Sequence, residues 1–355
     1  MILASSRRWY CEWPAEIGVC QTPAVTTLAN LVRDDHRPAL ADLQSRELPE
    51  VEVEIPPTED LLTRALEVAV PFEDLNPLLA AAAQLRSGPG EELLRLEVGA
   101  LVAAMGCTDP LPELPAVTPD LVDPPGYFGV LVALLTVPYT RAYHREHAVD
   151  EVTSWRTFID IGRNIAVYRN RHGRPGFDDL GWVTLHLTGQ LYDLGRLQVN
   201  RSQLGRTFTR LMRERGLDVV EREPCLALHI PRYSGPMDVT ACDRSIARAG
   251  KFFPAHFPDE SPRYLVCSSW LLDPALAERL PARSNIVAFQ HRFTIARCEE
   301  PDDEATLIFV FEDPTRALSA YPRSSSLQRA VLEHLDSGGH WHGGRGWRPL
   351  VPDHS

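Results

Sequence analysis

Lysine is all but missing from this chain of 355 residues, where Lys251 stands alone. The positive charge is otherwise arginine, so any cation meeting a phosphate does so as a planar guanidinium fork. A general basic face is also missing. The net charge of -12 argues against a general nucleic-acid binder, although it leaves room for one basic patch. The seven cysteines (Cys11, Cys20, Cys107, Cys225, Cys242, Cys267 and Cys298) include no C-x-x-C pair. A zinc site on closely spaced thiolates is therefore unsupported, and no metal is expected. Their odd number and the apolar settings of Cys225, Cys267 and Cys298 indicate a reduced, cytoplasmic protein in which free thiols act as small hydrophobes. No apolar run is long enough to cross a membrane. The best, residues 130–137, ends at Pro138, far short of the roughly 20 residues a span requires; it reads as a buried helix. The first residues carry Arg7, Arg8, Glu12 and Glu16 and lack a signal-peptide core. No repeat period is visible.

The length exceeds what one core usually serves, so two domains are expected, 1–148 and 149–355. The first reads as helical and broken by prolines. A short amphipathic stretch at 24–32 precedes an acidic loop at 47–57. Thr58, Glu59 and Asp60 then announce a helix, with Leu61, Ala65 and Leu66 at helical spacing. Further helices follow at 75–85 and from Glu91, separated by the break at 87–90, and a proline-rich loop covers 110–125. The second domain opens with an amphipathic helix over 153–171, stopped by Gly173 and Pro175. Residues 182–188 alternate as a half-buried strand, with Gly189 and Gln190 as the turn into a partner at 191–200. Helices are expected at 201–215, 238–249 and 274–280, and strands at 225–230 and 263–272. A final antiparallel pair at 285–298 and 306–311 completes the pattern. The fold class is α+β: a helical domain, then a mixed sheet with helices on its faces.

The stretch that carries chemistry runs from Leu226 to Asp238. A buried strand enters a loop reading Arg232-x-x-Gly235-x-Met237, and a helix follows at once. Helix N-termini offer unpaired backbone N–H groups and a positive dipole end, which together cradle a pyrophosphate. A glycine there lets the backbone approach closely. The same pattern also describes an ordinary turn.

The order of elements around this loop resembles the GNAT acyltransferases, whose acyl-CoA loop reads Gln/Arg-x-x-Gly-x-Gly/Ala. Leu194-Gly-Arg-Leu-Gln198, His229-Ile-Pro231, Cys267-Ser-Ser-Trp-Leu-Leu272 and Ser284-Asn-Ile-Val-Ala-Phe-Gln290 further resemble a bacterial family that joins a helical N-terminal domain to a GNAT-like C-terminal domain. The resemblance covers residues 150–350 and departs from the pattern at Met237. It implies an N-acyltransferase that takes acetyl-CoA or another acyl-CoA as cosubstrate and passes the acyl group directly to an amine. Leu228, Ile230, Arg232, Ser234, Gly235, Met237 and Asn285 would then bind the cofactor. His229 is the candidate base, since imidazole titrates near neutrality; a packed histidine is the alternative. Glu223 could act through a water or lie on a solvated edge. Ser268 and Ser269 could protonate the leaving thiolate or simply relieve a crowded sheet, and only one can face the cofactor. The alternative function is a non-catalytic GNAT-like module that binds a ligand or partner. No nucleic acid or membrane partner is expected, and the identity of the amine stays open. Tyr143-His-Arg-Glu-His147 fails the H-E-x-x-H pattern. The tail with His340 and His342 reads as a flexible glycine-rich cover.

Overall fold

The structure is a computed structural model and describes residues 27–86, 88–109, 111–177 and 180–350. The readings made on Arg7, Arg8, Cys11, Glu12, Glu16, Cys20, Ser87 and Pro110 lie outside them, as does the start of the stretch at 24–32, whose remainder holds a 3-10 turn at Leu28–Asn30.

The helical half builds α1 (Arg37–Ser45), α2 (Thr58–Glu67), α3 (Phe72–Leu85) and α4 (Pro89–Ala103) in sequence. Glu59 and Asp60 sit in the first turn of α2, and Glu91 and Glu92 in that of α4, where the helix dipole favours carboxylates. Helices α3 and α4 pack on α5 (Gly126–Glu146), whose interior from Val130 to Val137 is buried, while α1 lies against α4 and α2 against α3. Pro138 lies inside α5 instead of ending it. Dense packing on both sides outweighs the roughly 3 kcal/mol that an interior proline costs. Next, α6 (Glu151–His172) is capped by Asp150, whose carboxylate accepts from Thr153 N at 2.9 Å, and ends on left-handed Gly173. Residues 182–188 are no strand. They form the short helix α7 (Gly181–Leu187), which buries Val183 and Leu187 four residues apart while Leu185 stays half-buried. Leu43, Leu61, Leu78, Leu131, Ile161 and Leu187 belong to one apolar cluster shared by these helices. Each such leucine contributes roughly 1.5–3 kcal/mol on burial.

The second half holds β1 (Leu191–Asp193), β2 (Gln198–Gln203), α8 (Arg206–Glu214), β3 (Pro224–His229), α9 (Val239–His256), β4 (Tyr264–Ser269), α10 (Ala275–Arg279), α11 (Asn285–Gln290), β5 (Thr294–Arg297), α12 (Asp303–Phe311), α13 (Ser326–Asp336) and β6 (Gly344–Pro349). The sheet order is β1-β2-β3-β4-β6-β5. Only β3 and β4 run parallel. The first hairpin turns at 194–197, not at Gly189 and Gln190. The expected final pair is also replaced: 285–290 and 303–311 are helical, and the partner of β5 is β6. This strand occupies the tail read as a flexible cover. Its glycines mark close packing, since a Cβ at Gly344 would lie 2.3 Å from Leu272 O and one at Gly346 2.9 Å from a Leu272 methyl. Among the described residues no helix is long and apolar enough to cross a membrane.

Arg201 of β2 fastens the two halves. It is buried, donates to both Glu260 oxygens from Nε (2.8 and 2.9 Å), to Tyr143 Oη of α5 (2.7 Å) and to Gly106 O behind α4 (2.8 Å). Its guanidinium also lies over the Phe257 ring at 4.2 Å.

Candidate active site

Strands β3 and β4 pair only at Leu226↔Leu265 and Ala227↔Val266. Beyond that level they part, leaving the backbone of residues 228–229 and 267–269 unpaired with each other. Leu226 and Leu228 point into the core beneath α9, so strand alternation sends Ala227 and His229 to the other face. His229 Nε2 lies 2.6 Å from Asn200 Oδ1 of β2. The Asn200 amide is oriented by its own N–H donating to Arg201 O at 2.7 Å. Its oxygen therefore faces the ring, His229 Nε2 donates, and Nδ1 carries the lone pair of the neutral imidazole. Burial, and then the nearby His186, push the His229 pKa down to about 4. The ring meets Trp182 of α7 edge-on, with centroids 4.5 Å apart.

Behind Trp182, His186 is fully buried, with Nε2 3.1 Å from Asp160 Oδ2 of α6. That contact is one of proximity, without the alignment of a good hydrogen bond. Burial raises the Asp160 carboxyl, but His186, Gln198 and Arg163 outweigh it and hold the group at about 2. Asp193 of β1 is likewise buried and paired with Arg156 at 2.9 Å.

The loop from Pro231 to Asp238 leads out of β3 into α9. Asp238 caps the helix by accepting from Ala241 N at 2.8 Å. Gly235 has φ +79°, a conformation side chains rarely adopt. Among the described residues Ser234 Oγ is buried without a partner. Arg196, from the β1–β2 turn, pins the loop at both ends, donating to Pro231 O and Pro236 O, each at 3.1 Å. Ile230 and Met237 pack against the two adjoining apolar clusters, which accounts for a methionine where a smaller residue was expected. Arg232 is not free: it pairs with Glu312 at the end of α12, at 2.6 Å.

On the His229 side, a cleft of about 720 Å³ opens between the halves, lined by Trp182, Thr184, Gln190, Asn200, Ser202 and Gln203 among others. Among the described residues, the charged ones lining it are Asp109, Glu113 and Glu221 and one guanidinium, Arg222, which pairs with Asp109.

Comparison with known proteins decides what this arrangement is. Residues 59–189 match the N-acyltransferase N-terminal domain and residues 191–348 the GNAT-like C-terminal domain. A solved acyltransferase in complex with decanoyl-CoA and teicoplanin is 32% identical with TM-score 0.80, covering 90% of this chain and 96% of its own. The chain is a two-domain GNAT-like acyltransferase. An acyltransferase mutant in complex with octanoyl-CoA matches with the same identity, TM-score and coverage, and an acyltransferase with CoA and 10C-teicoplanin matches at 32% identity and TM-score 0.78, with the same coverage. No curated protein matches.

The remaining sequence candidates separate clearly within this acyltransferase. Counting on from the Ala227↔Val266 pair, Ser268 stands level with His229 and on the same face. Ser269 points the other way, and its Oγ accepts from Leu271 N at 3.2 Å. Glu223 precedes β3 at the opposite end from His229, roughly 20 Å away at the rise of an extended strand. Its carboxylate is held by Arg263 (2.7 and 2.9 Å), which keeps its pKa low. It lies too far from His229 for the two to share a water. Asn285 is exposed in the first turn of helix α11, not on a strand, and Ser284 does the capping there. Cys267 is buried, which pushes its thiol up to about 12. His340 and His342 bond to Asp303 (2.7 Å) and to the carbonyls of Cys298 and Glu299 (3.1 and 3.0 Å). Read from the sequence, Trp182, His186, Asp160 and Asn200 had no role in the site, and Arg196 entered only within the motif at 194–198. Only the i, i+4 spacing of Trp182 and His186 could have signalled a helix there.

Proposed function

We propose that the acyltransferase moves an acyl group from acyl-CoA to an amine by direct attack, with His229 as the base. One observation carries this reading: His229 stands at the open end of the β3–β4 gap and touches Asn200 and Trp182, which line the acidic cleft. The gap suits a pantetheine arm, whose amides need unpaired backbone. The cleft, with three carboxylates against one guanidinium, attracts an ammonium-bearing acceptor. The acceptor must lose a proton before or as it attacks, and Nδ1 of His229 receives it. The amine lone pair forms the C–N bond, the C–S bond breaks, and a further proton of the attacking nitrogen passes to the departing sulfur, which leaves as the CoA thiol. Ser268 is placed to donate a hydrogen bond to that sulfur. Since the similar acyltransferases hold decanoyl-CoA, octanoyl-CoA and teicoplanin, a medium-length acyl chain and a bulky amine-bearing acceptor are the pair to try first.

The phosphates of CoA are assigned to the loop of Arg232, Ser234 and Gly235 and to the free N–H groups opening α9. This placement requires Arg232 to exchange Glu312 for phosphate. In a CoA titration at low salt, Glu312→Gln is expected to tighten binding several-fold. Arg232→Ala should weaken it about 10-fold, the size of one lost charge-assisted hydrogen bond. Affinity unmoved by either change would contradict the exchange. A second expectation rests on backbone geometry. Gly235→Val places a β-branched side chain at positive φ and should weaken CoA binding about 10-fold or more in a folded protein. Unchanged CoA affinity in that variant would remove the phosphates from this loop.

A further inference from the structure

The helical half holds a second cavity, of about 270 Å³. Leu114 lines both it and the main cleft. Its walls are apolar, with Val117, Phe128 and Leu180 among them, yet Glu97 of α4 and the arginines Arg33 and Arg174 also line it. Glu97 is only 2% exposed. Among the described residues its Oε1 is buried without a hydrogen-bond partner and no ion pair reaches the carboxyl. A buried polar group left in this way costs free energy that a leucine of similar size would not. Arg33 gives its Nε and Nη2 donors to Asp35 on the solvent side, at 3.2 and 2.7 Å. The two N–H donors of its Nη1 remain for another acceptor.

We propose that this cavity binds a small zwitterion of the α-amino-acid type with an apolar side chain, its ammonium on Glu97 and its carboxylate on the arginine side. Three features select that class. The lone carboxyl calls for a donor at the inner end. The Nη1 donors of Arg33 call for an anion, and a simple amine would meet that guanidinium with like charge. The apolar walls take a hydrocarbon body, and the volume lies below the roughly 300–1,000 Å³ of drug-sized sites. Burial holds the Glu97 carboxyl well above the usual carboxylate range, which favours the protonated form among its own walls. Pairing it with an ammonium then releases a proton to solvent, leaving carboxylate against ammonium.

The test is isothermal titration of the full chain near neutral pH, without CoA, using L-leucine and L-phenylalanine as probes. Isopentylamine, which lacks the carboxylate of leucine, and 4-methylpentanoate, which lacks its ammonium, are the controls. Saturable binding of at least one zwitterion is expected, with each control weaker by about 10-fold or more. Buffers of different ionisation enthalpy should report about one proton released per ligand. Glu97→Gln should fold, lose at least about 10-fold in affinity and release no proton. Glu97→Leu should also lose binding while raising the unliganded Tm. No heat from either zwitterion with the wild type would overturn the proposal. So would binding untouched by Glu97→Gln, or isopentylamine binding as tightly as leucine. CoA affinity, measured on the same variants, should not move, so the outcome is independent of the catalytic reading.

Discussion

His229→Gln is expected to lower kcat/KM by about 10²- to 10⁴-fold, the range for removal of a positioned general base. The variant should fold and bind CoA as the wild type does. The pH dependence sharpens the expectation. With its pKa at about 4, the imidazole is already neutral and basic well below neutrality. The limb it imposes on the wild-type profile therefore lies on the acid side, where activity falls as pH drops towards 4. A limb at higher pH belongs to the ammonium of the acceptor. Asn200→Asp places an anion against the ring, favours imidazolium and should move the acid limb upward. A full-rate His229→Gln enzyme with an unaltered profile would remove the histidine from the chemistry. The same burial has a consequence for stability. His229, and His144 at about 3, ordinarily titrate at 6.5. Between those values the unfolded chain takes up protons that the folded one refuses. Stability is therefore full above 6.5 and declines as pH falls through the window.

Arg201→Met should be the most destabilising single change at the join between the halves, by about 3 kcal/mol. It strips a buried hub of its bonds to Glu260, Tyr143 and Gly106 together and leaves the Glu260 carboxylate without its partner. Glu260 keeps about a quarter of its side chain in water, so the loss sits at the low end for a broken buried pair. Glu260→Gln should cost less. The double variant should fall short of the sum, because both changes remove the same contact. Denaturant midpoints with unchanged slopes would measure this. Arg201 also adjoins Asn200, so a loosened Arg201 should reduce kcat as well as stability. A variant as stable as the wild type would show that the halves are held elsewhere.

Local signals were legible in the sequence and long-range ones were not. Strand β3, the loop from Arg232 to Met237 and the cap at Asp238 are written in contiguous residues, and the structure has each of them. Helix α7 was misread because seven residues with Val183, Leu185 and Leu187 satisfy a strand pattern as well as a helical one. What decides is the helical core that takes Val183 and Leu187, supplied by segments far away in the chain. Strand β6 was missed because Gly344 and Gly346 look like flexibility until the Leu272 and Phe293 side chains that need the space are seen. The surroundings of His229 were hidden for the same reason. Trp182 and Asn200 lie 47 and 29 residues before it and come together only through sheet register and domain packing.

The most direct measurement is mass spectrometry of a reaction containing the protein, decanoyl-CoA and an amine-bearing glycopeptide of the teicoplanin type, with free thiol followed in parallel. The expected result is an acceptor heavier by one decanoyl group in amide linkage, matched mole for mole by released CoA thiol, and abolished when the acceptor amine is blocked beforehand. Thiol release that ignores the amine, or an acceptor of unchanged mass despite saturable binding of decanoyl-CoA, would contradict transfer from acyl-CoA to an amine at this site.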